Sequence, residues 1–242
     1  MSEAVLALPQ DAAEGYFDES RRPLVSLAFI APLLLCYEVG VLVLRVQNGA
    51  DAWMRKWLDL LGFSQHFLLP LLTVGILLGW HHVSRRRWTV RGSVLAGMAA
   101  ECCLLALLLW FVFKTQAMVW NWAVAPVENN LGRRAALCVG FLGAGIYEEL
   151  LFRVILLSGM MWAMKGLAAQ PLLHAALAIA VTSLLFAAAH HVSMAGVVGE
   201  PFAWSSFTFR VLAGAFFSAV FLYRGFGIVA GTHAAYNILV AA

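Results

Sequence analysis

Residues 140–158 read GFLGAGIYEELLFRVILLS. Within this run Glu148, Glu149 and Arg153 are the only charged side chains, with Gly143, Ala144 and Gly145 before them and Val154 to Leu157 after. Nothing nearby is polar enough to solvate them if the run crosses a bilayer. A charged side chain at membrane depth costs about 2.5–3.5 kcal/mol on insertion scales. Three of them together require partners from elsewhere in the chain, and the candidates are His190, His233 and Asn237.

The whole chain makes the membrane reading necessary. Of 242 residues, 62% are hydrophobic and 12% charged, and the mean hydropathy is +0.83. A soluble domain carries about 25% charged residues. The apolar stretches are continuous rather than alternating, which argues against a β-barrel. The expected fold is all-α: a polytopic membrane helix bundle of about seven to eight transmembrane helices at ~20 residues each, with an interfacial amphipathic helix. The net charge of +3 points to no nucleic acid, because the basic residues sit between the spans. Cys36, Cys102, Cys103 and Cys138 lie inside apolar segments, without a Cys-x-x-Cys pair or metal-ligand spacing, and are assigned no role.

Residues 1–20 are acidic (Glu3, Asp11, Glu14, Asp18, Glu19), and the first apolar run follows Arg21-Arg22-Pro23. That run is too long for a signal-peptide core, so a retained first span is expected. Spans are predicted over 24–44, 66–80, 93–113, 134–157, 172–190, 207–223 and from 228 to the end. Pro32 is expected to kink the first. Between the first two spans, 51–63 places Trp53, Met54, Trp57, Leu58 and Leu61 on one helical face against Arg55, Lys56 and Asp59, the pattern of a helix lying in the interface. Residues 114–134, with Trp120, Trp122, Pro126, Asn129 and Asn130, and residues 193–204 are expected to connect spans. Only the density of Arg85, Arg86, Arg87 and Arg91 favours a cytoplasmic N-terminus, since basic residues are otherwise nearly balanced between the two sides.

Three polar pairs stand out at helical spacing. Residues advance about 100° along an α-helix, so Glu149 and Arg153, four apart, can pair, leaving Glu148 free to accept a proton. His190 ends the fifth predicted span, four residues after Phe186; spacing alone does not choose between it and His191. His233 and Asn237, four apart, share a face of the last span. Each pair taken alone also fits a purely structural role between helices. Together they fit peptide hydrolysis, which needs a base to activate water and donors for the developing oxyanion. No serine or cysteine is visibly placed as a nucleophile, which favours direct attack by water. Glu38 and Glu101 are expected to make structural hydrogen bonds or to pair with loop arginines.

Glu148-Glu149-x-x-x-Arg153, Phe186-x-x-x-His190 and His233-x-x-x-Asn237, in this order on three spans, resemble the three-motif signature of the CPBP family. These are the CAAX-protease and bacteriocin-processing (Abi-type) intramembrane endopeptidases, which include the type II CAAX prenyl endopeptidases. The resemblance covers about 135–242, expected to be the catalytic core; 1–134 would be N-terminal membrane helices plus the interfacial helix. It implies that Glu148 activates water with help from His190, that His233 and Asn237 form the oxyanion site, and that Glu149 and Arg153 support the first motif. In the eukaryotic branch the substrate is a prenylated protein that loses its last three residues. For this chain the resemblance implies a membrane-associated peptide or protein, lipidated or not. The expected location is the prokaryotic inner (cell) membrane, as a multi-pass protein.

No cofactor is expected. Zinc is the mechanistic rival, with Glu148, His190 and His233 as possible ligands, although His-Glu-x-x-His is lacking. Two other classes of function stay open at this stage. One is a non-catalytic binding or immunity protein using the same chamber, and the other a transporter with buried acids as a proton relay.

Overall fold

The computed structural model describes residues 15–63, 67–120, 130–166, 170–193 and 198–241. The expectations placed on 1–14, on Trp122, Pro126 and Asn129, on His66, and on part of the 193–204 connection lie outside the described residues. Among the described residues all regular structure is helical.

A short helix α1 (Tyr16–Ser20), formed at the end of the acidic N-terminal stretch, precedes α2 (Pro23–Leu44). Pro23 opens α2, where its fixed φ suits the first helical turn and its missing N–H costs nothing. The amphipathic segment forms α3 (Gly49–Leu60), capped by Asn48. Then come α4 (Leu68–Val83) and α5 (Gly92–Val119), which runs six residues past the predicted end. The fourth predicted span is one continuous helical rod: α6 (Leu131–Gly143), two π-helical segments (Ala144–Glu148 and Leu150–Leu157), α7 (Ser158–Ala163) and a last 3₁₀ turn (Met164–Gly166). Helices α8 (Pro171–Ala189), α9 (Trp204–Arg224) and α10 (Phe226–Ala241) complete the chain.

Five of these elements are long and apolar enough to cross a membrane, and α4 and α10 are shorter apolar helices. All seven coincide with segments predicted as spans, and five of them reach spanning length. The outward faces carry exposed Leu35, Val43, Leu71, Leu104, Phe111 and Leu172, side chains that only lipid would solvate well. The chain is an integral membrane protein.

Helix α10 is the axis of the bundle and packs against α2, α5, α6, α9 and the first π segment. Residues 226–234 are buried without a break, as expected of a helix apolar on all sides. At 16 residues it reaches about 24 Å at 1.5 Å per residue, less than the ~30 Å of hydrocarbon.

The two acids outside the predicted site are structural, as expected. Glu101 receives both Nε and Nη2 of Arg224, at 2.5 and 2.8 Å, and the Tyr16 hydroxyl at 2.6 Å. Glu38 accepts from the Tyr147 hydroxyl at 2.5 Å and pairs with Arg55 of α3 at 3.3 Å. Arg55 also holds Asp51, one turn earlier. Burial works against the Arg55 cation, but the Asp51 and Glu38 carboxylates outweigh it, and its pKa lies above the ordinary value.

Candidate active site

The first motif sits where the rod widens. In a π-helix the backbone bonds run i→i+5 rather than i→i+4, and such widening recurs at functional positions. The uniform 100° step assumed from the sequence therefore does not hold across Ala144–Leu157, although the Glu149–Arg153 pairing that it suggested is present. The reason for the close local packing is Gly145. A Cβ there would lie 2.6 Å from the Ala230 carbonyl oxygen and 2.8 Å from the Ala234 Cβ, so backbone meets backbone between the π segment and α10.

The two acids diverge. Glu149 is fully buried. Its Oε2 lies 3.0 Å from Arg153 Nε, and its Oε1 lies 2.7 Å from His233 Nδ1. Arg153, also buried, donates from Nη2 to the Gly214 carbonyl at 3.2 Å. Its guanidinium lies 4.6 Å from the Phe186 ring centroid and 5.5 Å from that of Phe217. With the Phe152 ring at 5.9 Å as well, Arg153 is compensated by one carboxylate and three aromatic faces, contacts worth about 0.5–2 kcal/mol per face. It ties the widened rod to α8 and α9 and stays behind the cavity wall.

Glu148 faces the other way, into a cavity of about 910 Å³ that is also lined by His190, His233 and Asn237. Its Oε2 lies 3.8 Å from His190 Nε2 and 3.9 Å from His233 Nε2, and that oxygen makes no hydrogen bond to protein among the described residues. Four of the six predicted site residues therefore line one chamber, and Glu149 and Arg153 stand directly behind it.

Each imidazole has its tautomer set by a partner. His190 Nδ1 lies 2.8 Å from the Phe186 carbonyl, an acceptor, so Nδ1 carries the hydrogen and a neutral ring turns the Nε2 lone pair towards Glu148. Phe186 also holds the ring edge-on, with centroids 4.8 Å apart, which accounts for the Phe-x-x-x-His spacing. His233 Nδ1 donates to Glu149, and its ring stacks on Phe217 at 4.5 Å. Two carboxylates and one guanidinium leave one negative charge for the two imidazoles to balance. His191, which spacing could not separate from His190, turns away: Nδ1 lies 3.1 Å from the Glu200 carbonyl and its ring packs on Phe202.

One contributor carries no signal in the sequence. Asn48, at the start of α3, donates from Nδ2 to Glu148 Oε1 at 3.0 Å and lines the same cavity. In sequence it is a helix-capping residue 100 positions away, and capping alone would explain it. Among the described residues, no three His, Cys, Asp or Glu side chains are grouped so as to hold a metal ion. Glu148, His190 and His233 come nearest, with the carboxylate oxygen 3.8 and 3.9 Å from the two ring nitrogens.

No curated protein and no solved structure matches the chain. Residues 130–239 match the family model described as type II CAAX prenyl endopeptidase Rce1-like, and this stretch holds all three motifs. By that match the C-terminal region of the chain is similar to the Rce1-like, CAAX-type intramembrane proteases.

Proposed function

We propose that the protein is an intramembrane endopeptidase that hydrolyses a peptide bond with water activated by Glu148. The observation that carries this reading is the meeting of Glu148 Oε2 with two imidazole nitrogens at 3.8 and 3.9 Å across the cavity. These separations are too long for direct hydrogen bonds and suit a bridging water.

A water held there donates one hydrogen to Glu148 Oε2 and the other to the Nε2 lone pair of His190. Its oxygen attacks the scissile carbonyl carbon while Glu148 takes the proton. The carbonyl oxygen becomes an oxyanion, received by the Asn237 amide and by His233. With its Nδ1 hydrogen given to Glu149, His233 serves as an oxyanion donor through Nε2 when that nitrogen also carries a hydrogen. Each oxyanion donor is worth about 10²–10³ in rate. Collapse breaks the C–N bond, and the proton held by Glu148 and His190 passes to the leaving amine. Ser206 also lines the chamber, but its hydroxyl donates to the Ala203 carbonyl at 3.1 Å, which supports water rather than serine as the attacking group.

The chamber walls include Phe113, Leu137, Phe141, Phe209 and Val240. Such walls suit an apolar or lipid-modified segment, and the substrate proposed is a membrane-associated peptide or protein. The test is cleavage of a panel of quenched fluorescent peptides, prenylated and unmodified, by purified protein in detergent. Wild type is compared with Glu148→Ala and His190→Ala, each with and without a strong chelator. Loss in both variants with indifference to chelation is expected. Full activity in Glu148→Ala would sink the reading, and loss on chelation restored by zinc would turn the three side chains into metal ligands. No cleavage of any peptide would favour a binding role for the chamber.

A further inference from the structure

Glu148 is held from a part of the chain that carries none of the three motifs, and we infer that Asn48 is a positioning residue for it: its amide fixes one carboxylate oxygen and so leaves the other to act on water. The inference rests on the role proposed for Glu148.

Asn48 has its orientation set on every side. As N-cap of α3 its Oδ1 accepts from the Ala50 backbone N–H at 2.8 Å. This requirement decides which end of the amide is oxygen and aims Nδ2 into the cavity. Its backbone N–H donates to the Tyr37 hydroxyl at 3.0 Å, which itself donates to Asp51 Oδ2 at 2.7 Å. Asp51 is buried and ion-paired with Arg55. The residue is therefore clamped by the helix that it caps, and Nδ2 meets Glu148 Oε1 at 3.0 Å.

A glutamate carboxylate otherwise rotates over a broad, two-fold torsion, and either oxygen could face the histidines. With Oε1 bound to Asn48, Oε2 is the oxygen presented to His190 and His233. Helix α3 thus supplies a group to a site whose other residues all lie beyond residue 140.

Substitutions that keep the cap but lose the amide separate this role from simple capping, because Asn, Asp and Ser cap helices about equally well. Asn48→Ser removes the donor, and Asn48→Asp sets a second carboxylate against Glu148. Both are expected to lose kcat on the order of 100-fold, the cost of a misplaced reacting group, with KM little changed, and Asn48→Ser, which keeps the cap, should melt close to wild type. The substrates are a quenched fluorescent peptide carrying a farnesylated cysteine and its unmodified counterpart. Wild-type kcat in both cap-preserving variants would overturn the inference.

A second readout needs no proteolysis. Dicyclohexylcarbodiimide reacts with protonated carboxyl groups in apolar surroundings, and modification of Glu148 can be followed by mass spectrometry, with Glu148→Gln as the blank. Loss of the Asn48 amide frees Oε1, which that side chain otherwise covers, so labelling in Asn48→Ser is expected to be several-fold faster than in wild type. Equal labelling rates would overturn the inference whatever the peptides show. Faster labelling in a protein that cleaves none of the peptides would uphold the contact and count against the proteolytic reading instead.

Discussion

His233 Nδ1 lies 2.7 Å from Glu149 Oε1, so the second acid of the Glu-Glu motif is committed inside the bundle while the first faces the cavity. The division follows from where their partners lie. Glu149 stands between the buried Arg153 and the inner nitrogen of His233, and all three are sealed from solvent. The outer nitrogen of the same ring then points to Glu148. One imidazole thereby links the structural half of the site to the half that is proposed to react.

Glu149→Gln keeps the shape of the side chain and removes its charge, leaving Arg153 buried without its carboxylate. Breaking a buried pair in this way costs about 3–5 kcal/mol. Thermal unfolding in detergent is expected to show that loss, and peptide cleavage is expected to fall as well, because His233 loses the carboxylate opposite Nδ1. Adding Arg153→Met should restore part of the stability but not the activity. An unchanged melting temperature in the single variant would show that Glu149 is not the partner Arg153 depends on.

Gly145→Ala tests how closely α10 must approach the first motif. The added Cβ would meet the Ala230 carbonyl oxygen at 2.6 Å, a backbone atom that cannot swing aside. Overpacking of this kind costs about 1–3 kcal/mol. Because α10 carries His233, its displacement should lower kcat as well as stability. The control is Gly159→Ala, where a Cβ has nothing within 4 Å and where wild-type cleavage is expected. Equal behaviour of the two variants would remove the argument from close approach.

The membrane character, the apolar helices of the bundle and the grouping of His190, His233 and Asn237 around Glu148 were legible in the sequence. Hydropathy fixes spans because lipid tolerates little else, and four-residue spacings report a shared helix face. What spacing could not show was the widening at Ala144–Leu157, because a four-residue pattern reads alike on α- and π-helical backbone. Nor could it distinguish His190 from His191, since adjacent residues differ only in where the fold turns them. Asn48 was invisible for another reason: a capping asparagine has a complete local explanation, and its second bond is made across 100 residues. Glu38 pairs with Arg55 of α3, a partner 17 residues away that helical spacing within α2 could not indicate.

The link between α1 and the bundle has a pH signature. Burial, followed by the hydrogen bond and charge of Glu101, pushes the Tyr16 hydroxyl up to about 12, against an ordinary value of about 10. The folded state therefore keeps this proton over an interval in which the unfolded chain has lost it. The contribution is complete below pH 10 and is lost as pH rises through about 12. Unfolding midpoints measured across that interval should fall less steeply in Tyr16→Phe than in wild type. Identical slopes would mean that Tyr16 does not couple α1 to Glu101 in solution.

The two adjacent histidines should separate cleanly. His190 presents Nε2 to the chamber because its Nδ1 is anchored one turn back on the Phe186 carbonyl. His191 instead anchors the returning loop at Glu200 and packs on Phe202. Loss of a positioned acid–base group costs about 10²–10⁴ in rate, so His190→Ala should lose cleavage to that degree while remaining folded. His190→Gln keeps a polar group but has no titrating nitrogen, and should be no better. His191→Phe preserves the ring contact with Phe202 and gives up one partly exposed hydrogen bond, so it should cleave at close to the wild-type rate. Steady-state cleavage of one peptide by the three variants decides the matter. Activity that followed His191 instead would move the acid–base role to the loop and detach it from Glu148.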